Sequence, residues 1–213
     1  MAIDALFEQL KHPNPHLRER AMGQIAETRD ENTIPRLMDI LGEQDVNYRR
    51  SAVKALGIIG ADSVPSLVET LKSSDNTVVR ASCVKALAQV AFNHPDETFP
   101  QIGMEGLKKA LNDSNPVVHI AAVMALGEIG PAVLDLLVET LKTTDNVAVA
   151  VAITNALGSM GDSKAAEVLT EFANDENADS YIRESATSAL SRLEMVIQYK
   201  GAGKKESPEK DQP

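Results

Sequence analysis

LVETLKSSDN (Leu67–Asn76) and LVETLKTTDN (Leu137–Asn146) are one decapeptide written twice, with Ser exchanged for Thr at two places. Such a recurrence points to an internal repeat. Working outward from it exposes weaker copies of a longer pattern, in which an Asp- or Asn-containing turn leads into a helix that closes on Ala-Leu. DVNYRRSAVKALGIIG, DNTVVRASCVKALAQV, NPVVHIAAVMALGEIG and DNVAVAVAITNALGSMG are its clearest forms. Anchored on the Ala of that pair, the copies fall at Ala55, Ala86, Ala125, Ala156 and Ala189, in steps of 31, 39, 31 and 33 residues. A degenerate first copy sits at Gln24 and Ile25.

Within a repeat, positions −7, −3, −2, +1 and +4 from the anchor are apolar, the spacing of one helix face. In the second repeat these are Tyr48, Ala52, Val53, Leu56 and Ile59. Gly60, Gly130 and Gly161 are placed to stop that helix by adopting positive φ. A second helix follows each, with Pro65 and Pro131 near the first turns, where a missing amide proton costs little. The decapeptide is thus a second helix plus the turn into the next repeat. One hairpin of this size cannot bury its own apolar stripe, whereas stacked hairpins can. The expected fold is all-α: an α-solenoid, right-handed, of about six helical hairpins near 4–42, 43–73, 74–112, 113–143, 144–174 and 175–200. Residues 201–213, GAGKKESPEKDQP, carry no apolar period and are expected to form a disordered charged tail.

Composition narrows the function classes. Across 213 residues the net charge is −10, which repels polyphosphate backbones, so nucleic acid is not an expected partner. Aromatics are 3% and Trp is absent, leaving little to stack on a base or a large planar ligand. The single Cys83 rules out an intrachain disulfide and points to a reducing compartment, cytoplasm or plastid stroma. The first residues lack a basic segment followed by an apolar run, no apolar run approaches a spanning length, and membrane insertion is not expected.

The motifs VVRASCVKALAQV, AAVMALGEIG and YRRSAVKALGIIG resemble the short HEAT-like repeat of the phycobilisome lyase family of cyanobacteria, over roughly Asp4 to Tyr199. That resemblance implies a repeat solenoid. It also implies a choice of roles, since the family includes paired bilin lyase subunits, a phycobilisome degradation factor and a protein that stabilises the cluster of an iron–sulfur scaffold. Lyase subunits carry Tyr and Trp near the chain start, whereas the first two repeats here offer only Phe7 and Tyr48. The preferred expectation is a noncatalytic scaffold that stabilises a cofactor-bearing protein, and the resemblance alone implies an iron–sulfur carrier as that partner. The alternative is a bilin lyase subunit or bilin-handling factor whose partner is a phycobiliprotein or another lyase subunit. A further HEAT-repeat relative, deoxyhypusine hydroxylase, holds iron through His-Glu dipeptides, and no such dipeptide occurs here.

No catalytic residue, metal ligand or cofactor site is expected. No Gly-x-Ser-x-Gly elbow or phosphate-cradling loop is present, and His12, His16, His94 and His119 lack zinc-ligand spacing. Cys83 occupies position −3, filled by Ala in most repeats, and is expected to be a core residue. At position −6 stand Arg18, Arg49, Arg80, His119, Ala150 and Arg183, with Asp45, Asp75, Asp145 and Asp179 in the preceding turns. This predicts a ladder of charged contacts between repeats.

Two surfaces are candidates for binding. Positions −8, −5 and −1 share a helix face away from the core stripe. That face begins to turn apolar in the third repeat with Val78 and Ala81 beside Lys85, is apolar throughout in the fourth with Val117, Ile120 and Met124, and continues in the fifth with Ala148 and Val151. Either it receives a protein partner, or the insertion AFNHPDETFPQIG in the third repeat folds over it. The second helices present an acidic concave face, Asp39, Glu69, Asp135, Glu139, Glu167 and Glu171, interrupted by Arg36 and Lys109. Such a face favours a basic segment and disfavours an anion such as the propionates of a bilin.

Overall fold

At the turns between repeats an Asn or Asp side chain accepts hydrogen bonds from the free amides of the helix that follows. Asp45 accepts from Asn47 N (2.8 Å) and Tyr48 N (3.1 Å), Asn76 from Val78 N (2.9 Å), and Asn146 from Ala148 N (3.0 Å) and Val149 N (3.2 Å). Each such cap contributes about 1 kcal/mol relative to Ala. The turn residues of the repeat are therefore what starts its helices.

The computed structural model describes residues 3–203. Their helices are α1 (Ile3–Gln9), α2 (Pro15–Glu27), α3 (Thr33–Asp39), α4 (Val46–Ile59), α5 (Val64–Ser73), α6 (Thr77–Asn93), α7 (Gln101–Ala110), α8 (Pro116–Ile129), α9 (Leu134–Thr143), α10 (Val147–Met160), α11 (Ser163–Asn174) and α12 (Ser180–Gly203). No strand occurs among the described residues. The helices group into two compact units, divided between Ile129 and Gly130.

In the first unit α2, α4, α6 and α8 pack side by side in chain order, and α3, α5 and α7 form a second layer. Between the layers lie Ile25, Leu37, Leu56, Leu67, Leu87, Leu107 and Leu126, all fully buried. Each contributes roughly 1.5–3 kcal/mol by leaving water. The close approach of α4 and α6 depends on Gly57, where a Cβ would fall 2.3 Å from the Gln89 Cβ. In the second unit α10 and α11 both pack on α12, around Ile153, Leu157, Leu169 and Ala189. A hydroxyl pair joins α10 to α12, with Thr154 Oγ1 2.6 Å from Ser185 Oγ.

The expected helix stops are present: Gly60, Gly130 and Gly161 all have positive φ, at 82°, 84° and 68°. One stretch, Val46–Ser73, is long and apolar enough by composition to cross a membrane. Gly60 divides it into α4 and α5, and 67% of its most apolar window is buried in the fold, so it is a core hairpin.

Other expectations need correction. The sixth repeat is a single long helix, α12, with no second helix after it among the described residues. That helix runs to Gly203, past the expected start of the tail at 201, and residues 204–213 lie outside the described residues. The arginine ladder is built differently from the prediction. Arg18 donates to the carbonyls of His12 (2.6 Å) and Pro13 (2.9 Å), Arg49 to that of Glu43, Arg80 to those of Ser74 and Asp75 (both 3.1 Å), and Arg183 to that of Glu176 (3.0 Å). The guanidinium thus satisfies backbone oxygens of the preceding turn, while Asp45 and Asp179 are spent as helix caps. Among the described residues, Arg80 is the one arginine of this series that also reaches a carboxylate of the next repeat, that of Asp113.

Candidate functional site

The apolar face is partly as expected. In the first unit Val78 opens α6 at 43% exposure, and α8 presents Val117 at 56% and Met124 at 63%, with Ile120 half-buried between them. Ala81 is a correction: it is only 5% exposed. Helices α4 and α8 flank α6 on its two sides, and a single methyl does not extend past the longer side chains of its neighbours. In the second unit Ala148 is exposed at the start of α10 and Val151 is half-buried.

The insertion of the third repeat does not cover the first-unit part of this face. His94 Nε2 sits 3.3 Å from the Ile58 carbonyl and His94 Nδ1 3.2 Å from Glu97, while Phe99 and Val64 close on Gly103. The loop thereby stays at the C-terminal end of α6, and Val78 lies at the other end.

The six acidic residues are all exposed, Asp39 on α3 and Glu69 on α5 in the first unit, Asp135 and Glu139 on α9 and Glu167 and Glu171 on α11 in the second. Glu171 is paired with Lys142 at 3.2 Å. Arg36 does not interrupt them freely, since it bonds Asp4 at 2.8 Å and stacks 3.9 Å from the Phe7 ring centroid.

Cys83 is fully buried on α6, and burial pushes its thiol up to about 12. At neutral pH it is a protonated core residue. His119 stands at the arginine position of α8, its Nε2 buried without a hydrogen-bond partner, and burial lowers its pKa. No group of three His, Cys, Asp or Glu side chains fit to hold a metal is found among the described residues.

One feature of the first unit was missed in the sequence. A cleft of about 390 Å³ opens between the ends of α5 and α7, lined by Lys72, Ser74, Arg80, Lys109, Asn112 and Asp113. Arg80 and Asp113 form its wall, Nε to Oδ2 at 2.8 Å and Nη2 to Oδ1 at 3.0 Å, with side chains 15% and 12% exposed. The hydrogen bond from Arg80 is the main cause that holds the Asp113 carboxyl below its ordinary value. Lys72 and Lys109 make no hydrogen bond or ion pair among the described residues. The repeated decapeptide carries one of the cleft's lysines, Lys72, and nothing in it points to Lys109.

Comparison with known proteins agrees with this architecture. The model of HEAT repeats matches residues 3–88 and 104–191. An uncharacterized phycocyanin operon protein Z of Pseudanabaena tenuis is 56% identical, over 94% of this chain and 99% of its own. The bilin biosynthesis protein CpeZ of a Synechococcus species is 31% identical, over 81% of this chain and 96% of its own. Among solved structures, the complex of CpcE and CpcF of phycocyanin lyase from a Nostoc species matches with a TM-score of 0.50 at 19% identity, covering 73% of this chain and 97% of that one. That last likeness is one of fold. These relatives do not support the iron–sulfur carrier preferred from the sequence, and they favour its bilin-related alternative. With both halves matched by the repeat model and a relative aligned along nearly its whole length, the chain belongs to the HEAT-repeat family, in the company of phycocyanin operon protein Z and CpeZ.

Proposed function

We propose that this protein is a phycobilin lyase-related factor that handles a bilin, together with a protein partner, during phycobiliprotein assembly in the cytoplasm of a photosynthetic cell. The observation that carries the reading is the near full-length likeness to proteins tied by name to a phycocyanin operon and to bilin biosynthesis. A repeat array suits the task, because it presents long exposed faces without needing a deep catalytic pocket. In the first unit the exposed Val78, Val117 and Met124 supply apolar contact area to a protein partner, and an apolar centre with a charged rim is the usual make-up of such a contact.

The reading is tested by coexpressing the chain with a bilin-synthesis pathway and a phycobiliprotein subunit, then purifying the chain and the subunit separately. Visible absorbance that travels with the chain, or that appears on the subunit only when the chain is present, is the expected result. A colourless chain and a subunit whose chromophore content is the same without it would overturn the reading.

A further inference from the structure

The cleft between α5 and α7 is a charge anomaly in a chain of net charge −10. Its one acidic wall residue, Asp113, is already neutralised by two hydrogen bonds from Arg80 and also accepts from Asn115 N at 2.8 Å. What remains is the pair Lys72 and Lys109. Both are penultimate residues of ten-residue helices that pack side by side, so they stand at equivalent positions of the two helices and both line the cleft.

Lysine in a last turn is explained by the partial negative charge at a helix C-terminus. That effect does not explain the gap between the two helices, nor the lack of a counter-charge. The third lysine of the series, Lys142, is penultimate in α9 and is held by Glu171 at 3.2 Å. Lys72 and Lys109 have no such carboxylate. Glu69 and Glu105 lie one helical turn behind them and outside the cleft lining, and Glu105 receives a hydrogen bond from Gln101 at 3.3 Å. Two full positive charges outweigh two partial helix ends, and Ser74 and Asn112 add neutral polar groups to the lining.

We infer that this cleft is a carboxylate-binding site in which Lys72 and Lys109 receive the propionate side chains of an open-chain tetrapyrrole, the ring system lying outside along the neighbouring helices. The inference rests on the bilin-handling reading and locates it. It reverses the expectation that the face of the second helices repels such an anion, because the acidic positions there do not enter the cleft. A volume near 390 Å³ accommodates the two short acid chains.

The test is a titration of the purified full chain with biliverdin and, in parallel, with biliverdin dimethyl ester, followed by visible absorbance and induced circular dichroism. Four combinations are measured: wild type and Lys72→Gln plus Lys109→Gln, each with acid and ester. Both lysines are exposed, so the variant should keep the wild-type melting curve. The proposal expects the double substitution to weaken acid binding about tenfold, the ester to lose a similar factor on the wild type, and the ester to lose nothing further on the variant. Lys72→Arg plus Lys109→Arg should restore acid binding. Equal acid affinity of wild type and Gln variant, or the same ester penalty on both, overturns the cleft and leaves the bilin-handling reading standing. Failure of the wild type to bind either compound overturns that reading, and the cleft falls with it.

Discussion

Individual residues of the repeat differ in what they tolerate, and the neighbours of each decide it. Gly57 and Gly158 occupy the same position of their repeats, where a Cβ would lie 2.3 Å from Gln89 Cβ and 2.8 Å from both Ala189 Cβ and its carbonyl oxygen. Because these are backbone and near-backbone atoms, Gly57→Ala should cost about 1–3 kcal/mol in a denaturant melt. At Gly23, inside α2, nothing lies within 4 Å. There the same substitution should stabilise by roughly 0.5–1 kcal/mol through helix propensity. Cys83 should resist a thiol reagent at neutral pH and react at full stoichiometry once urea unfolds the chain, since its pKa of about 12 leaves almost no thiolate. Rapid labelling of the native protein would place the thiol at a surface. This residue was legible in the sequence, because a small apolar site recurring at one position of most repeats identifies itself. Ala81 was not, since helical spacing tells which way a side chain points and not how far its neighbours reach.

At the scale of helices and their contacts, charge was the least legible feature. The glycine stops and the helices of the first five repeats follow from local chemistry within a few residues and were readable, whereas the single helix of the sixth repeat and the capping role of Asp45 and Asp179 were not. The partners of the repeated arginines are backbone carbonyls, which carry no signature of their own, and so the ladder was assigned to the wrong acceptors. The cleft was hidden for a related reason: Lys72 and Lys109 line one cleft only because α5 and α7 pack together. The Arg80–Asp113 pair makes stability depend on pH. The Asp113 carboxyl is held below its usual 3.8 chiefly by the Arg80 hydrogen bond. Its contribution is therefore complete above the unfolded value and is lost as pH falls through the folded one. Asp113→Asn should lower the melting temperature at pH 7 and narrow the difference from wild type as the pH is taken below 3.8. A constant difference between the two proteins down to pH 2 would mean the pair does not couple to folding. On the apolar face, Val117→Asp plus Met124→Asp should leave the melt within about 0.5 kcal/mol, both residues being more than half exposed, yet abolish retention of the phycobiliprotein subunit proposed as partner. Retention by the variant would remove this face from the interaction.

Within each unit, stability is built from contacts between neighbouring helices, so loss of one element should be felt locally first. Helix α12 is the main packing partner of α10 and α11. A chain ending at Asp179 would expose Ile153, Leu157 and Leu169, all fully buried in the intact protein, and should lose part of its helicity and cooperative melt at moderate temperature. Unchanged helicity per residue would show that α10 and α11 hold together alone. The order of the repeats also carries a restriction that their likeness conceals. The glycine at Gly57 is cut to the backbone of the repeat beside it, and the repeat carrying α6 has Ala88 at that place. Placed before Gln89, a repeat with alanine there would collide where the resident one fits. Repeats alike in sequence are thus specific to their addresses. A recombination that exchanged two of them would preserve every helix and still build a strained array.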